Sequence, residues 1–213
     1  MSLVYLVRHG EVHNPDGVLY GRLPNFRLSA DGVGMAATTG GWLVGRDIAV
    51  VHSSPLQRAV ETATAIGDTL GLPVEIDERL IESGSRFEGR RFDGAAGLLR
   101  PDVLRHLYNP LRPSWGEPFT EVADRMLAAA DAARVAAAGR DAVCVSHQLP
   151  IWVARRAVEG KHLWHRPDRR ECALASVTTI RYDEGGRPVS TDYNEPAGSV
   201  GRRTGKPRRT LHD

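Results

Sequence analysis

Cysteine is scarce in this chain of 213 residues, with Cys144 and Cys172 the only two. They lie far apart and lack metal-ligand spacing, so they read as inert thiols of a reduced, cytoplasmic protein. Long apolar runs are missing as well. Nothing near the start exceeds the short run Leu3–Val7, so neither a signal peptide nor a membrane span is expected. A strong excess of one charge is absent too. With 28 Lys and Arg against 26 Asp and Glu, the formal net charge of +2 does not by itself call for a nucleic-acid partner. There is no internal repeat and no domain linker. What remains, 41% apolar and 25% charged residues, is ordinary globular composition, and the length favours a single core.

The pattern along the chain alternates strand and helix. Leu3–Val7 reads as a strand buried on both faces. A Gly/Pro/Asn-rich loop follows, and Ser29 then caps a small-residue helix running towards Gly45. Ile48–His52 is a second strand. Ser54 at a cap, Pro55 and Gln57 form the expected capping box of a helix that ends at Gly71. Val74–Ile76 is a short third strand. Residues 83–115 are irregular, with one helix expected around Pro101–Leu107. A long helix over Glu117–Ala138 is closed by Gly139. Ala142–Val145 is the fourth strand, and Pro150–Val158 the helix after it. Ala175–Tyr182 and Val189–Tyr193 form a hairpin. The fold class expected is α/β: a three-layer sandwich with a mostly parallel central sheet, helices on both faces and an antiparallel edge. One domain spans 1–195, with 83–115 as a variable substrate-capping segment. Residues 196–213 form a basic tail.

Ligands of such sheets gather at the carboxyl ends of the strands. Arg8 and His9 leave the first strand there, and "VCVSH" places Ser146 and His147 in the same position on the fourth. Arg58 sits in the first turn after strand two, where a cation opposes the helix dipole and so needs another reason to be present. Glu82 follows strand three. Two arginines, two histidines and a glutamate on one side suit a phosphoryl group. Guanidinium forks match its oxygens. A neutral imidazole can take the group covalently, and a carboxylic acid can protonate the departing alkoxide.

With these residues in place, the chain resembles the histidine phosphatase superfamily, in its phosphoglycerate-mutase-like branch. "LVRHGE" (6–11), "LSADG" (28–32), "SSPLQRAVETA" (53–63), "LIE" (80–82) with "FEG" (87–89), and "VSH" (145–147) resemble its motifs in order. The resemblance implies that His9 is the nucleophile, that Arg8, Arg58 and His147 form the phosphate pocket, and that Glu82 is the proton donor. No metal or cofactor is implied. Val12 stands where many members carry Ser or Thr, Asn14 is the candidate phosphate-loop asparagine with spacing shortened by one, and Gln148 replaces a small residue. These departures bear on the substrate rather than on the chemistry. Tyr20, Gly21 and Arg22 are candidates for the pocket entrance, together with Asn14 and Gln148.

The expected activity is metal-independent hydrolysis of a small phosphomonoester through a phosphohistidine. Two alternatives stay open: a cofactor-dependent phosphoglycerate mutase, and a non-catalytic phospho-ligand binding module. Arg86, Arg90, Arg91, Arg100, Arg105, Arg112 and Trp115 are expected to roof the pocket. His162 and His165, beside Trp164, lack a strong third metal ligand and read as a surface loop. The tail "GRRTGKPRRTLHD" reads as a flexible solubilising end, or one packed on a neighbouring subunit. The partner expected is a small phosphorylated metabolite, with no nucleic acid and no membrane. A homodimer is left open.

Overall fold

The computed structural model describes residues 1–91 and 116–198. In chain order the elements are β1 (Ser2–Arg8), α1 (Ala30–Leu43), β2 (Ile48–Ser53), α2 (Gln57–Leu70), β3 (Val74–Ile76), α3 (Phe119–Ala136), β4 (Asp141–Ser146), α4 (Gln148–Val158), β5 (Val177–Tyr182) and β6 (Pro188–Asn194). Single turns of 3₁₀ helix lie at Glu78–Leu80 and Pro167–Arg169. The helix expected around Pro101–Leu107 falls outside the described residues.

Side-chain alternation in the central strands sets the layers. In β1, Val4 and Leu6 point to one face and Tyr5 and Val7 to the other, and all four are buried. In β4, Ala142 and Cys144 join the first pair while Val143 and Val145 join the second. The first face is covered by α3 and α4 through Val122, Met126, Ala130 and Ile151. The second is covered by α1 and α2 through Leu43, Ala59, Ala63 and Ile66. This is the expected three-layer α/β sandwich. Among the described residues the strand order is β3-β2-β4-β1-β5-β6. β3, β2, β4 and β1 run parallel, and β5 and β6 add the antiparallel edge. Packing runs slightly past the expected domain boundary, because Ala197 is buried against Met35 and Ala175.

Local chemistry explains most element ends. Ser29 caps α1, its Oγ accepting from the Gly32 N–H at 3.0 Å and donating to Glu11 Oε1 at 3.0 Å. Gly71, at φ +69, ends α2 in the left-handed region. The capping box at Ser54 does not form. α2 begins at Gln57 with Leu56 in the cap position and no side-chain cap, and the Gln57 amide donates to Glu61 at 2.8 Å. Ser54 Oγ lies 2.7 Å from His147 Nε2 and also accepts the Leu56 N–H at 3.4 Å, closing a turn before the helix rather than capping it.

The "LSADG" stretch also has a steric role. Gly32 at the start of α1 lies directly against the backbone after His9: a Cβ on Gly32 would overlap the Glu11 carbonyl, and one on Gly10 would sit 2.5 Å from the Gly32 carbonyl oxygen. Gly32→Ala is therefore expected to cost about 1–3 kcal/mol, as overpacking does, read as a Tm lowered by roughly 2–12 °C in thermal unfolding. Gly41→Ala is the control. It lies exposed in the same helix with open space around it, and is expected to stabilise by about 0.5–1 kcal/mol.

Candidate active site

β1 and β4 are neighbours in register, Arg8 opposite Ser146, so the residues leaving them emerge side by side. The His9 N–H donates to the Ser146 carbonyl at 3.1 Å, and the His9 and His147 rings lie 5.2 Å apart between centroids. His9 is 1% exposed. Its Nδ1 lies 2.8 Å from the Gly10 carbonyl, which can only accept, so Nδ1 carries the proton and Nε2 keeps its lone pair. Gly10 is held in turn by Thr62, whose Oγ1 accepts the Gly10 N–H at 3.1 Å and donates to the Arg58 carbonyl at 2.7 Å. His147 takes the opposite tautomer. Arg58 Nη2 donates to its Nδ1 at 3.3 Å, leaving Nε2–H for Ser54 Oγ.

Burial holds both imidazoles well below their ordinary value of 6.5. For His9 the nearby Arg8 and Arg58 add to that effect; for His147 the neighbours are His9, Arg58 and Arg8. Both rings are neutral at neutral pH.

The two arginines have carbonyl partners and free donors. Arg8 Nη1 donates to the Cys172 carbonyl at 2.7 Å, and Arg58 Nη2 to the Gly21 carbonyl at 2.6 Å. The Nε of each is buried with no partner among the described residues. Arg58 is 1% exposed, and its guanidinium carbon sits 4.7 Å from the centre of the Tyr20 ring, which also meets His9 edge-on at 6.3 Å. Gly21 permits this approach. Its φ is +40, and a Cβ there would overlap the Glu88 side chain.

Glu82 hangs on a clamped loop. Four consecutive carbonyls each accept from a side chain. Arg79 and Ile81 receive Arg125 Nη1 at 2.6 and 2.7 Å, Leu80 receives Ser146 Oγ at 2.7 Å, and Glu82 receives Arg22 Nε at 2.6 Å. Glu117 ties the two arginines together, taking Arg125 at 2.7 and 3.0 Å and Arg22 at 2.9 Å. Burial raises the Glu82 carboxyl above its usual 4.5, against the lowering effects of the Ser83 N–H, Arg58, Arg8 and Arg170. The carboxyl thereby favours the protonated form more than a solvated glutamate does.

His9, His147, Arg8, Arg58, Glu82 and Tyr20 thus converge as the sequence suggests. Asn14 does not reach them. Both ends of its amide are taken by the Val18 backbone, at 2.9 and 3.2 Å, closing a turn of the first loop. Gln148 Nε2 shares the Cys172 carbonyl with Arg8, at 3.5 Å, and Arg22 acts on the acid loop rather than at the entrance. Of the expected roof, Arg91 pairs with Asp16 at 2.5 Å; Arg100, Arg105, Arg112 and Trp115 lie outside the described residues. His165 is not on a surface loop. It is 8% exposed, packed between Phe119 and Trp152. Sequence reasoning missed Thr62, Glu117, Arg125 and Arg170, which are ordinary residues in ordinary helices or loops until the chain brings them together. Ser54 carried a signal, but a capping signal.

A neutral, buried imidazole with a free Nε2, flanked by guanidiniums with unmatched donors, is a site built for a tetrahedral oxyanion. The family follows from the whole chain: residues 4–195 match the profile of the histidine phosphatase superfamily (branch 1), and the chain belongs to that superfamily. An uncharacterized Mycobacterium tuberculosis protein, Rv0525, is 55% identical over 195 residues, 91% of this chain and 96% of that one. A putative phosphoserine phosphatase 2 of Hydrogenobacter thermophilus is 33% identical over 114 residues, 53% of this chain and 56% of that one. Among solved structures, Bacillus stearothermophilus YhfR superposes with a TM-score of 0.73 at 28% identity, covering 89% of this chain and 95% of that one.

Because folded His9 and His147 bind protons less readily than in the unfolded chain, stability falls as pH drops below about 6.5. Glu82, raised in the folded state, works in the opposite sense and offsets part of that loss. In a ¹³C-edited NMR titration the Cε1–H signals of both histidines are expected to stay at the neutral-form position through the range in which an unperturbed imidazole titrates, around 6.5. Ordinary titration near 6.5 would contradict the geometry described.

Proposed function

We propose that this protein is a metal-independent phosphatase of small phosphomonoesters, working through a phosphohistidine on His9. The observation that carries this reading is the His9 tautomer, in which the Gly10 carbonyl takes the Nδ1 proton and leaves Nε2 nucleophilic within a cationic pocket. In the first step the Nε2 lone pair forms the N–P bond as the ester P–O bond breaks, and the leaving alkoxide takes the Glu82 proton. In the second, the Glu82 carboxylate takes a proton from water, whose oxygen attacks phosphorus as the N–P bond breaks. Inorganic phosphate leaves, with His9 neutral and Glu82 protonated as at the start. Arg8, Arg58 and His147 stabilise the charge that develops on the non-bridging oxygens. The similarity to a putative phosphoserine phosphatase over about half the chain supports hydrolysis as the second step.

His9→Ala is expected to abolish phosphate release from p-nitrophenyl phosphate in EDTA while far-UV circular dichroism and Tm remain near wild type. Turnover that survives in His9→Ala would falsify the mechanism. Arg58→Ala is expected to lower kcat by about 10²–10³; an effect on KM alone would remove Arg58 from the transition-state contacts.

Glu82→Gln should slow alkyl phosphates by about 10²–10⁴ and nitrophenyl phosphate far less, since nitrophenolate departs without a proton. In wild type the kcat/KM profile for an alkyl phosphate falls on the alkaline side as Glu82 ionises, above the ordinary glutamate value. That limb is expected to vanish in Glu82→Gln. Its persistence would assign it to another group.

A further inference from the structure

Three guanidiniums, Arg58, Arg8 and Arg170, lie near enough to Glu82 to oppose the rise of its carboxyl, and two suffice for a phosphoryl group. Several arginines around the site and its supports have a carboxylate: Arg22 and Arg125 share Glu117, Arg155 has Glu159 and Glu171, and Arg79 has Asp77. Arg8, Arg58 and Arg170 form no carboxylate ion pair among the described residues. Arg170 is half-buried, and its neighbouring charges are Glu82 and Arg8. It lies on the segment that borders the pocket: Cys172 gives its carbonyl to Arg8, and Ala175 donates its N–H to the His9 carbonyl at 3.2 Å.

Arg170 is also held in place. Its Nε donates to His165 Nε2 at 2.9 Å, while His165 Nδ1 donates to the Leu163 carbonyl at 2.7 Å. Burial lowers His165 to about 4, so the ring accepts without charge of its own. A neutral acceptor fixes the fork without cancelling it, as a carboxylate would. The two Nη groups make no hydrogen bond among the described residues. Once Glu82 is protonated for the first step, no carboxylate offsets Arg170, and a phosphomonoester dianion is already matched by Arg8 and Arg58.

We propose that Arg170, aimed by His165, binds a second anionic group of the substrate, so that the preferred phosphomonoester carries a carboxylate or a further phosphate near the transferred group. This rests on the phosphatase reading above. Arg170 is the specificity residue and His165 a positioning residue.

The test compares kcat/KM within two substrate pairs: 3-phosphoglycerate with glycerol 3-phosphate, which differ in a carboxylate, and fructose 1,6-bisphosphate with fructose 6-phosphate, which differ in a phosphate. Wild type is expected to favour the doubly anionic member of at least one pair by about ten- to hundredfold, the worth of a charged hydrogen bond. The favoured pair identifies the second group. Arg170→Met is expected to collapse that ratio at least about tenfold, and His165→Phe, which keeps the ring packing but loses the acceptor, to reduce it by a smaller factor. Arg170→Lys should recover part of it. Equal losses on both members, or no preference in either pair, would overturn the proposal while leaving the phosphatase reading intact. If no ester is turned over, the phosphatase reading fails instead. Calorimetric binding of the same pairs to wild type and Arg170→Met then decides the subsite by the same ratio.

Discussion

A buried guanidinium without a carboxylate is the constraint around which this site is arranged. Arg58 is 1% exposed and burial pulls its pKa down, yet a guanidinium starts so far above neutrality that it stays charged. Leaving such a group unpaired costs several kcal/mol, on the order expected for a buried ion. The chain offsets part of that with the Gly21 carbonyl, the His147 ring and the Tyr20 face. Glu82 and Glu88 act on it from a distance, but no carboxylate forms an ion pair with it and Nε stays unsatisfied among the described residues. An anion that completes Arg58 recovers that cost on binding.

The same constraint determines the histidines. Beside Arg8 and Arg58, a protonated imidazole is disfavoured twice, by burial and by repulsion, so His9 and His147 remain neutral. Neutrality gives each ring one proton and one lone pair, and the neighbours decide which nitrogen has which. Gly10 leaves the lone pair of His9 on Nε2, while Ser54 and Arg58 give His147 the opposite tautomer. The cationic field also opposes the rise that burial gives Glu82. The clamp on residues 79–82 fixes where that carboxyl sits relative to the cations, and so the balance of the two effects.

Much of this was legible in the residues because parallel strands deliver their last residues to one edge. "YLVRH" and "VCVSH" share a pattern, their strands pair in register, and the shared position places two imidazoles together. Ser29 at its cap and Gly71 at its stop are local chemistry, and both read correctly. Ser54 misled because a serine before a helix has several uses, and here its Oγ closes a turn on Leu56 and meets His147 instead of capping α2. Asn14 misled because its amide could equally close its own loop, at four residues' separation, as reach a ligand. His165 looked exposed because the segment around it is polar, whereas Phe119 and Trp152 come from other elements to cover it.

Sequence alone determined the alternation of strands and helices, the two-sided burial of β1 and β4, and the placement of His9 and His147 at paired strand ends, because periodicity, caps and strand ends are short-range properties. Tertiary structure alone decided the tautomer of His147, the brace of Arg22, Glu117 and Arg125 on the loop of residues 79–82, and the approach of Arg170 to the pocket. These depend on contacts between residues far apart in the chain, such as Arg22 and Glu117, 95 positions apart. No local pattern encodes such a distance. It exists only once the sheet has brought its carboxyl ends together.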